Sequence, residues 1–317
     1  MLFKHVYLLG VGGTGTHLAD PLSRLLIHHC PNNQQDFNFV IIDGDSYEEK
    51  NSERQLFDKS LVGKNKADAT SQKLTHAQIT PIKTYINEHL FTQLIQSITR
   101  DESVLIILAV DNHATRKDVI TAIDKKGLKN FVVISPGNSY SSGQAVVYSK
   151  WEGDLLTDHP FDKYQELKEP KDSIPNGCAA QTPSIPQLIT ANACAALATL
   201  LTVSAMLDGK GWFDEIHFNC ETMKMSPQGE SKTLLGVVSQ VNGNLDIPSN
   251  KPPTPYGVAS EEGIKMKKNT TIKSKSNSKN KKPAKAKAQP AKVANAKATK
   301  KVAKKPAKKP TAKVRSK

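Results

Sequence analysis

Six residues, Gly10-Val11-Gly12-Gly13-Thr14-Gly15, follow directly on the short apolar run Val6-Tyr7-Leu8-Leu9. Glycine has no Cβ, so this backbone can turn sharply and approach an anion closely, and the helix that follows turns its unpaired N–H groups toward a phosphate. The spacing satisfies both the dinucleotide pattern G-x-G-x-x-G and the more restrictive G-x-G-G-x-G. By itself it marks a nucleotide site of unassigned chemistry. Asp43 follows the next apolar run and suits bidentate acceptance from ribose hydroxyls, which serves a dehydrogenase as well as an ATP enzyme. Asn51, Arg54 and Lys66 discriminate. Two cations and an amide donor near a glycine turn suit a triphosphate under attack at its α-phosphorus, because the transition state and departing pyrophosphate carry charge that preplaced donors stabilise. Asp111 ends a fourth apolar run and suits Mg²⁺, which uses one or two carboxylates plus phosphate oxygens.

The elements that must position these residues alternate. Strands are expected at His5–Leu9, Phe37–Ile42, Pro81–Ile86, Val104–Val110 and Phe131–Ser135, with helices at Gly13–His29, Lys64–Gln78, Leu90–Ser97 and Thr115–Lys126. Runs such as Val104-Leu105-Ile106-Ile107-Leu108 are apolar on both faces, the mark of a parallel sheet covered on each side. The expected fold is therefore α/β: a Rossmann-like, mostly parallel sheet with helices on both faces. Ligands of such sheets bind beyond the carboxyl ends of the strands, where the polar residues above stand. The second half departs from this rhythm. Gln144–Tyr148 and Glu215–Cys220 read as antiparallel additions, a long loop spans about 151–183, and an Ala- and Leu-rich helix runs from about Ser184 to Leu207.

The charge of +14 over 317 residues is unevenly spread. Residues 265–317 hold 20 Lys, one Arg and no acid; removing those 21 from 44 basic residues leaves 23 against 30 acidic ones, a net of −7. The chain divides into a mildly acidic globular body, 1–250, a linker, 251–264, and a Lys/Ala/Pro-rich tail, 265–317, too polar and self-repelling to fold. Such a tail is expected to bind nucleic acid in a salt-sensitive way, or to serve as a solubilising appendage. Cys30, Cys178, Cys194 and Cys220 form no C-x-x-C pair, so neither zinc nor a disulfide framework is expected. No apolar leader is read before the first strand, and Asn192 with several Ser and Thr breaks the run Ala191–Met206. A cytoplasmic protein without a membrane span is the expectation.

Asp43-Gly44-Asp45 is followed by Asn51-Ser52-Glu53-Arg54-Gln55, then Gly63-Lys64-Asn65-Lys66-Ala67, then Asp111. With Gly10 to Gly15 in front, these motifs, in this order and at close to this spacing, resemble the superfamily of ubiquitin-activating enzymes and their bacterial relatives ThiF, MoeB and HesA. The resemblance covers about residues 4–220. It implies an ATP- and Mg²⁺-dependent adenylyltransferase, with Gly10, Gly12, Gly13, Gly15, Asp43, Asp45, Asn51, Arg54, Gln55 and Lys66 around the nucleotide and Asp111 on the metal. The attacking group it implies is the C-terminal glycine carboxylate of a ubiquitin-like or sulfur-carrier protein, and the assembly a homodimer.

The resemblance also points to Cys178, in Asn176-Gly177-Cys178-Ala179-Ala180-Gln181-Thr182-Pro183, as an acceptor of the adenylate; a thiolate on a mobile loop suits that transfer, although some relatives keep a cysteine there unused. Two features of many relatives are not expected here: the zinc pairs, and an N-terminal helix that supplies an arginine across the dimer, for which Arg24 or Arg116 are the alternatives. Zinc-less chains of this kind look most like the ThiF-related protein of the ParB-related/ThiF-related cassette (PRTRC) of plasmids and phages. Two other classes stay open. An NAD- or FAD-binding oxidoreductase would use the glycine turn but leave Arg54, Lys66 and Asp111 idle. A non-catalytic nucleotide-binding scaffold would be tethered to DNA by the tail.

Overall fold

The computed structural model describes residues 2–53, 55–171 and 187–233, and of Glu53 the backbone only. Arg54, Cys178, the linker and the tail lie outside the described residues. In chain order the elements are β1 (His5–Leu9), α1 (Gly13–His28), β2 (Asn38–Ile42), α2 (Lys66–Lys73), β3 (Ile79–Ile82), α3 (Glu88–Leu94), β4 (Ser103–Leu108) and α4 (His113–Lys126). They continue with β5 (Asn130–Asn138), β6 (Ser142–Trp151), β7 (Asp154–Leu155), α5 (Pro160–Lys163), α6 (Gln165–Lys168), α7 (Ile189–Leu207), β8 (Glu215–Asn219) and β9 (Lys224–Gln228).

One sheet carries all the described strands, in the order β3-β2-β1-β4-β5-β6-β8-β9, with β7 beside β6. The five strands β1 to β5 run parallel, and β6, β8 and β9 are added antiparallel. The order reverses direction at β1, which has β2 on one side and β4 on the other, so a crevice opens beyond their carboxyl ends. Alternate residues of β4 face opposite cores. Leu105 and Ile107 pack with Leu18, Leu22 and Leu26 of α1 and Ala198 and Val203 of α7, whereas Val104, Ile106 and Leu108 pack with Phe91 of α3 and Val119, Ile120 and Ile123 of α4. All five of those β4 side chains are buried, as a strand covered on both faces requires.

Helix starts follow local chemistry. Asn65, Asn87 and Asn112 each accept a backbone N–H of their own first turn, capping α2, α3 and α4, and Gly127 ends α4 in the left-handed region at φ 66°. β3 ends four residues earlier than its apolar run. Pro81 is tolerated there because β3 is an edge strand, and Asp43 N–H closes the ladder on Ile82 O, freeing Thr84–Ile86 to bend over the crevice. The expected loop at 151–183 is more ordered at its start, holding β7, α5 and α6; runs of two to four residues are too short to show a period.

By length and composition α7 would suffice to cross a membrane, contrary to the reading that polar residues break it. In the fold it packs on α1, β5, β6 and β8, with Asn192, Thr199 and Thr202 buried. Thr199 and Thr202 satisfy their hydroxyls on the carbonyls of Ala195 and Ala198 one turn back.

Candidate nucleotide site at the carboxyl ends of the strands

The glycine turn joins β1 to α1 and each glycine there meets a different constraint. Gly10 has φ +86°, and a Cβ on it would lie 2.6 Å from Ala109 O, so only glycine fits beside β4. A Cβ on Gly15 would lie 2.1 Å from Gly10 O, which makes this residue a packing contact between α1 and the turn. At Gly12 the nearest atom to such a Cβ is Gln55 Nε2 at 3.8 Å. Gly12 therefore bares backbone to open space.

Asp43 ties the turn to the end of β2. Its Oδ2 accepts Val11 N–H at 2.7 Å and its Oδ1 accepts Asp45 N–H at 2.8 Å. Each oxygen keeps a lone pair for a further donor. Burial pushes the Asp43 carboxyl up to about 6, opposed by the Lys66 ammonium and the two N–H donors. Lys66 opens α2 and is only 5 % exposed; its ammonium lies 3.1 Å from Asp45 Oδ2, and Asp45 Oδ1 accepts the Tyr85 hydroxyl.

These residues line a cavity of about 610 Å³, a volume typical of small-molecule sites. Gly10, Gly12, Gly13, Asp43, Asp45, Gln55, Lys66 and Asp111 all reach it. Gly15 and Asn51 do not line it. Asn51 is buried in the loop before Arg54, where its Oδ1 accepts Glu48 N–H at 3.0 Å and its carbonyl accepts Gln55 N–H. Gln55 is also buried, and among the described residues its Oε1 has no hydrogen-bond partner although the side chain borders the cavity.

Asp111 follows β4 and is exposed on the cavity wall. Among the described residues no group of three or more His, Cys, Asp or Glu is placed to hold a metal. A lone carboxylate facing a phosphate-sized space fits Mg²⁺, which completes its shell with substrate oxygens and water.

Two participants, Tyr85 and Asn192, were not legible as site residues, and a third, Arg116, was read only as an alternative source of an arginine across the dimer. Tyr85 overhangs Gly44 and carries no motif of its own. Asn192 reaches from α7 to Gly13 and holds Asn138 Nδ2 at 3.1 Å. Arg116 of α4 is buried and donates to Ser135 Oγ, to Val110 O at 2.6 Å and to Pro136 O at 2.8 Å. It joins the ends of β4 and β5 within one chain, a role different from reaching across a dimer. Arg24 is 64 % exposed and pairs with Asp20 one turn away. The cavity extends past β5 and β6 to Tyr148, Tyr164, Glu166 and Gln187. Cys194 and Cys220 face each other with sulfurs 3.8 Å apart, and burial raises the Cys194 thiol.

The description of the ThiF family matches residues 1–234 of this chain. The chain belongs to the ThiF family. Solved structures similar to this ThiF-family chain include PaaA, with a TM-score of 0.48 at 14 % identity over 72 % of this chain and 64 % of that one. Another is Escherichia coli MccB with ATP, with a TM-score of 0.48 at 16 % identity over 73 % and 65 % of the two chains. A third is the microcin C7 biosynthetic enzyme MccB in complex with N-formylated MccA, at 0.48, 17 %, 73 % and 66 %. The ThiF-family chain spans just under two thirds of the length of these proteins. Curated proteins yield no match.

Proposed function

We propose that this ThiF-family protein is an ATP-dependent adenylyltransferase that activates the C-terminal carboxylate of a ubiquitin-like or sulfur-carrier protein. The observation that carries this reading is the buried Lys66 ammonium, paired with Asp45 on the wall of the cavity that Asp43 and Gly12 also line. A triphosphate whose pyrophosphate departs gathers charge that such a cation stabilises, whereas hydride transfer develops no charge on the phosphates.

In this mechanism Asp43 receives the ribose hydroxyls on its remaining lone pairs. The N–H groups at the start of α1 and the Lys66 ammonium hold the phosphates, with Arg54 as the second cation. A carboxylate oxygen of the carrier attacks the α-phosphorus, forming an acyl-phosphate bond as the bond to pyrophosphate breaks. Lys66 and Arg54 stabilise the charge that gathers on the departing pyrophosphate. Asp111 would hold Mg²⁺, which supplies Lewis-acid neutralisation of the phosphate oxygens when bound.

Beyond adenylation, Cys178 accepts the acyl group as a thioester, releasing AMP. A homodimer is supported by Leu197 and Leu201 of α7, which lie one turn apart and are 47 % and 49 % exposed. The cassette assignment and a cytoplasmic site of action rest on sequence resemblance and composition.

The test is ATP–pyrophosphate exchange dependent on a carrier protein ending in Gly-Gly and encoded beside this chain. Exchange supports the reading; no exchange with any neighbouring carrier, together with tight NAD binding, overturns it. With Cys178→Ala, exchange persists while a DTT-sensitive adduct disappears. An adduct that survives this change excludes Cys178.

A further inference from the structure

Tyr85 is a cavity residue to which the adenylation mechanism above assigns no task. It follows β3, lines the cavity with Thr84 and Ile86, and donates its hydroxyl to Asp45 Oδ1. Its ring sits against Gly44, where a Cβ would lie 2.6 Å from ring carbon Cγ. The tyrosine thus explains why a glycine separates Asp43 from Asp45.

The main chain of Asp45 is held without Tyr85. Its N–H donates to Asp43 Oδ1 at 2.8 Å, and its carbonyl accepts Lys66 N–H at 2.9 Å and Asn65 Nδ2 at 3.0 Å. What Tyr85 addresses is the charge on the Asp45 carboxylate. With no nucleotide bound, that charge is matched by the Lys66 ammonium, 3.1 Å from Oδ2, whose side chain is 7 % exposed. The ammonium has three N–H donors, of which Asp45 engages one, and a triphosphate that draws it inward lengthens that contact. That movement leaves the Asp45 carboxylate, whose side chain is 33 % exposed, with solvent and the Tyr85 hydroxyl as its remaining partners, at a cost that grows if that hydroxyl is lost.

We propose that Tyr85 is a positioning residue that stabilises the Asp45 carboxylate while Lys66 transfers its ammonium to the phosphates of the nucleotide. A hydrogen bond to a carboxylate strengthens as its other partner leaves, so the Tyr85 hydroxyl favours the ligand-bound arrangement over the resting one. The inference deepens the adenylation reading and rests on it.

Calorimetric binding of ATP and of adenosine to the full-length protein tests it, with melting temperature read in parallel. Adenosine has no phosphate to draw the ammonium away. Tyr85→Phe should weaken ATP binding about tenfold, the scale of a lost bond to a charged group, and leave adenosine binding unchanged. In an Asp45→Asn background, where no carboxylate is stranded, the same change should leave the ratio of ATP to adenosine affinity unaltered. An equal loss for both ligands, an equal loss in both backgrounds, or ATP binding like that of the parent overturns the proposal. Should the parent bind ATP in this manner but show no exchange with any neighbouring carrier and bind NAD tightly, the adenylation reading falls while the role of Tyr85 stands or falls on the binding data.

Discussion

Asn192 fills the space that a side chain on Gly13 would need: its Nδ2 lies 2.6 Å from where that Cβ would stand. The amide is fully buried and also receives the Thr14 hydroxyl at 3.5 Å, so it has no room to swing away. Gly13→Ala should therefore cost about 1–3 kcal/mol by overpacking, read by urea unfolding, and Asn192→Ala in the same chain should recover part of it. Gly12→Ala, with open space before it, should leave the unfolding midpoint in place and weaken ATP binding instead. The pair separates a glycine needed for packing from one needed for the ligand.

Lys66→Met should lower carrier-dependent pyrophosphate exchange by about 10²–10³, the usual effect of removing one preplaced donor to transition-state charge. Lys66→Arg should not restore the parent rate, because a planar guanidinium cannot occupy the position of a point-like ammonium beside Asp45.

Asp43 predicts a pH dependence whose sign follows from its raised value of about 6. Below that pH it is protonated and offers one acceptor fewer to ribose, so ATP affinity should fall as pH drops through 6 and level off above it. Stability moves the other way. The folded state holds the proton more tightly than the unfolded chain, so this group destabilises the fold above pH 6 and that penalty fades as pH falls toward the ordinary carboxylate range. Asp43→Asn should flatten both profiles, checked by titration calorimetry and by melting curves between pH 4.5 and 8.

Arg116→Met should destabilise the protein by about 2–4 kcal/mol, since Val110 O and Pro136 O lose a buried charged donor. Arg24→Ala should change stability by less than about 0.5 kcal/mol, because its exposed pair with Asp20 is worth little. If Arg24→Ala nonetheless abolishes exchange and mixing it with Lys66→Met restores part of the activity, Arg24 acts across subunits.

Truncation after Ile264 should abolish salt-sensitive DNA binding and leave pyrophosphate exchange unchanged. A gel-shift series across salt concentrations decides it, and a truncated chain that still binds DNA with the same salt slope refutes it.

Much of this was legible because the physics involved is local. Strand β4 announces itself by apolar residues at consecutive positions, since both of its faces are covered. The positions of Asp43 and Asp111 followed from the rule that parallel strands deliver their ligand contacts at their carboxyl ends, and both line the cavity. Asn51 shows what the same logic leaves open: its Oδ1 accepts Glu48 N–H within its own loop, a bond that does not use the amide N–H₂, the end a phosphate would meet. The start of the segment at 151–183 escaped notice because α5 and α6 are each a single turn. They are held by Glu215 of β8, which accepts the Tyr164 hydroxyl at 2.6 Å and pairs with Lys163, contacts between residues some fifty positions apart.

The sequence by itself determined the glycine turn, the alternation of strand and helix, the sign of the charges around a nucleotide and the split between an acidic body and a basic tail. These depend on residue types within a few positions of one another. Only the tertiary structure decided that Tyr85 and Lys66 share Asp45, that Asn192 closes on Gly13, and that Arg116 bridges the ends of β4 and β5. Each of these joins residues from different elements, so its existence depends on sheet order and helix packing, which no local pattern encodes.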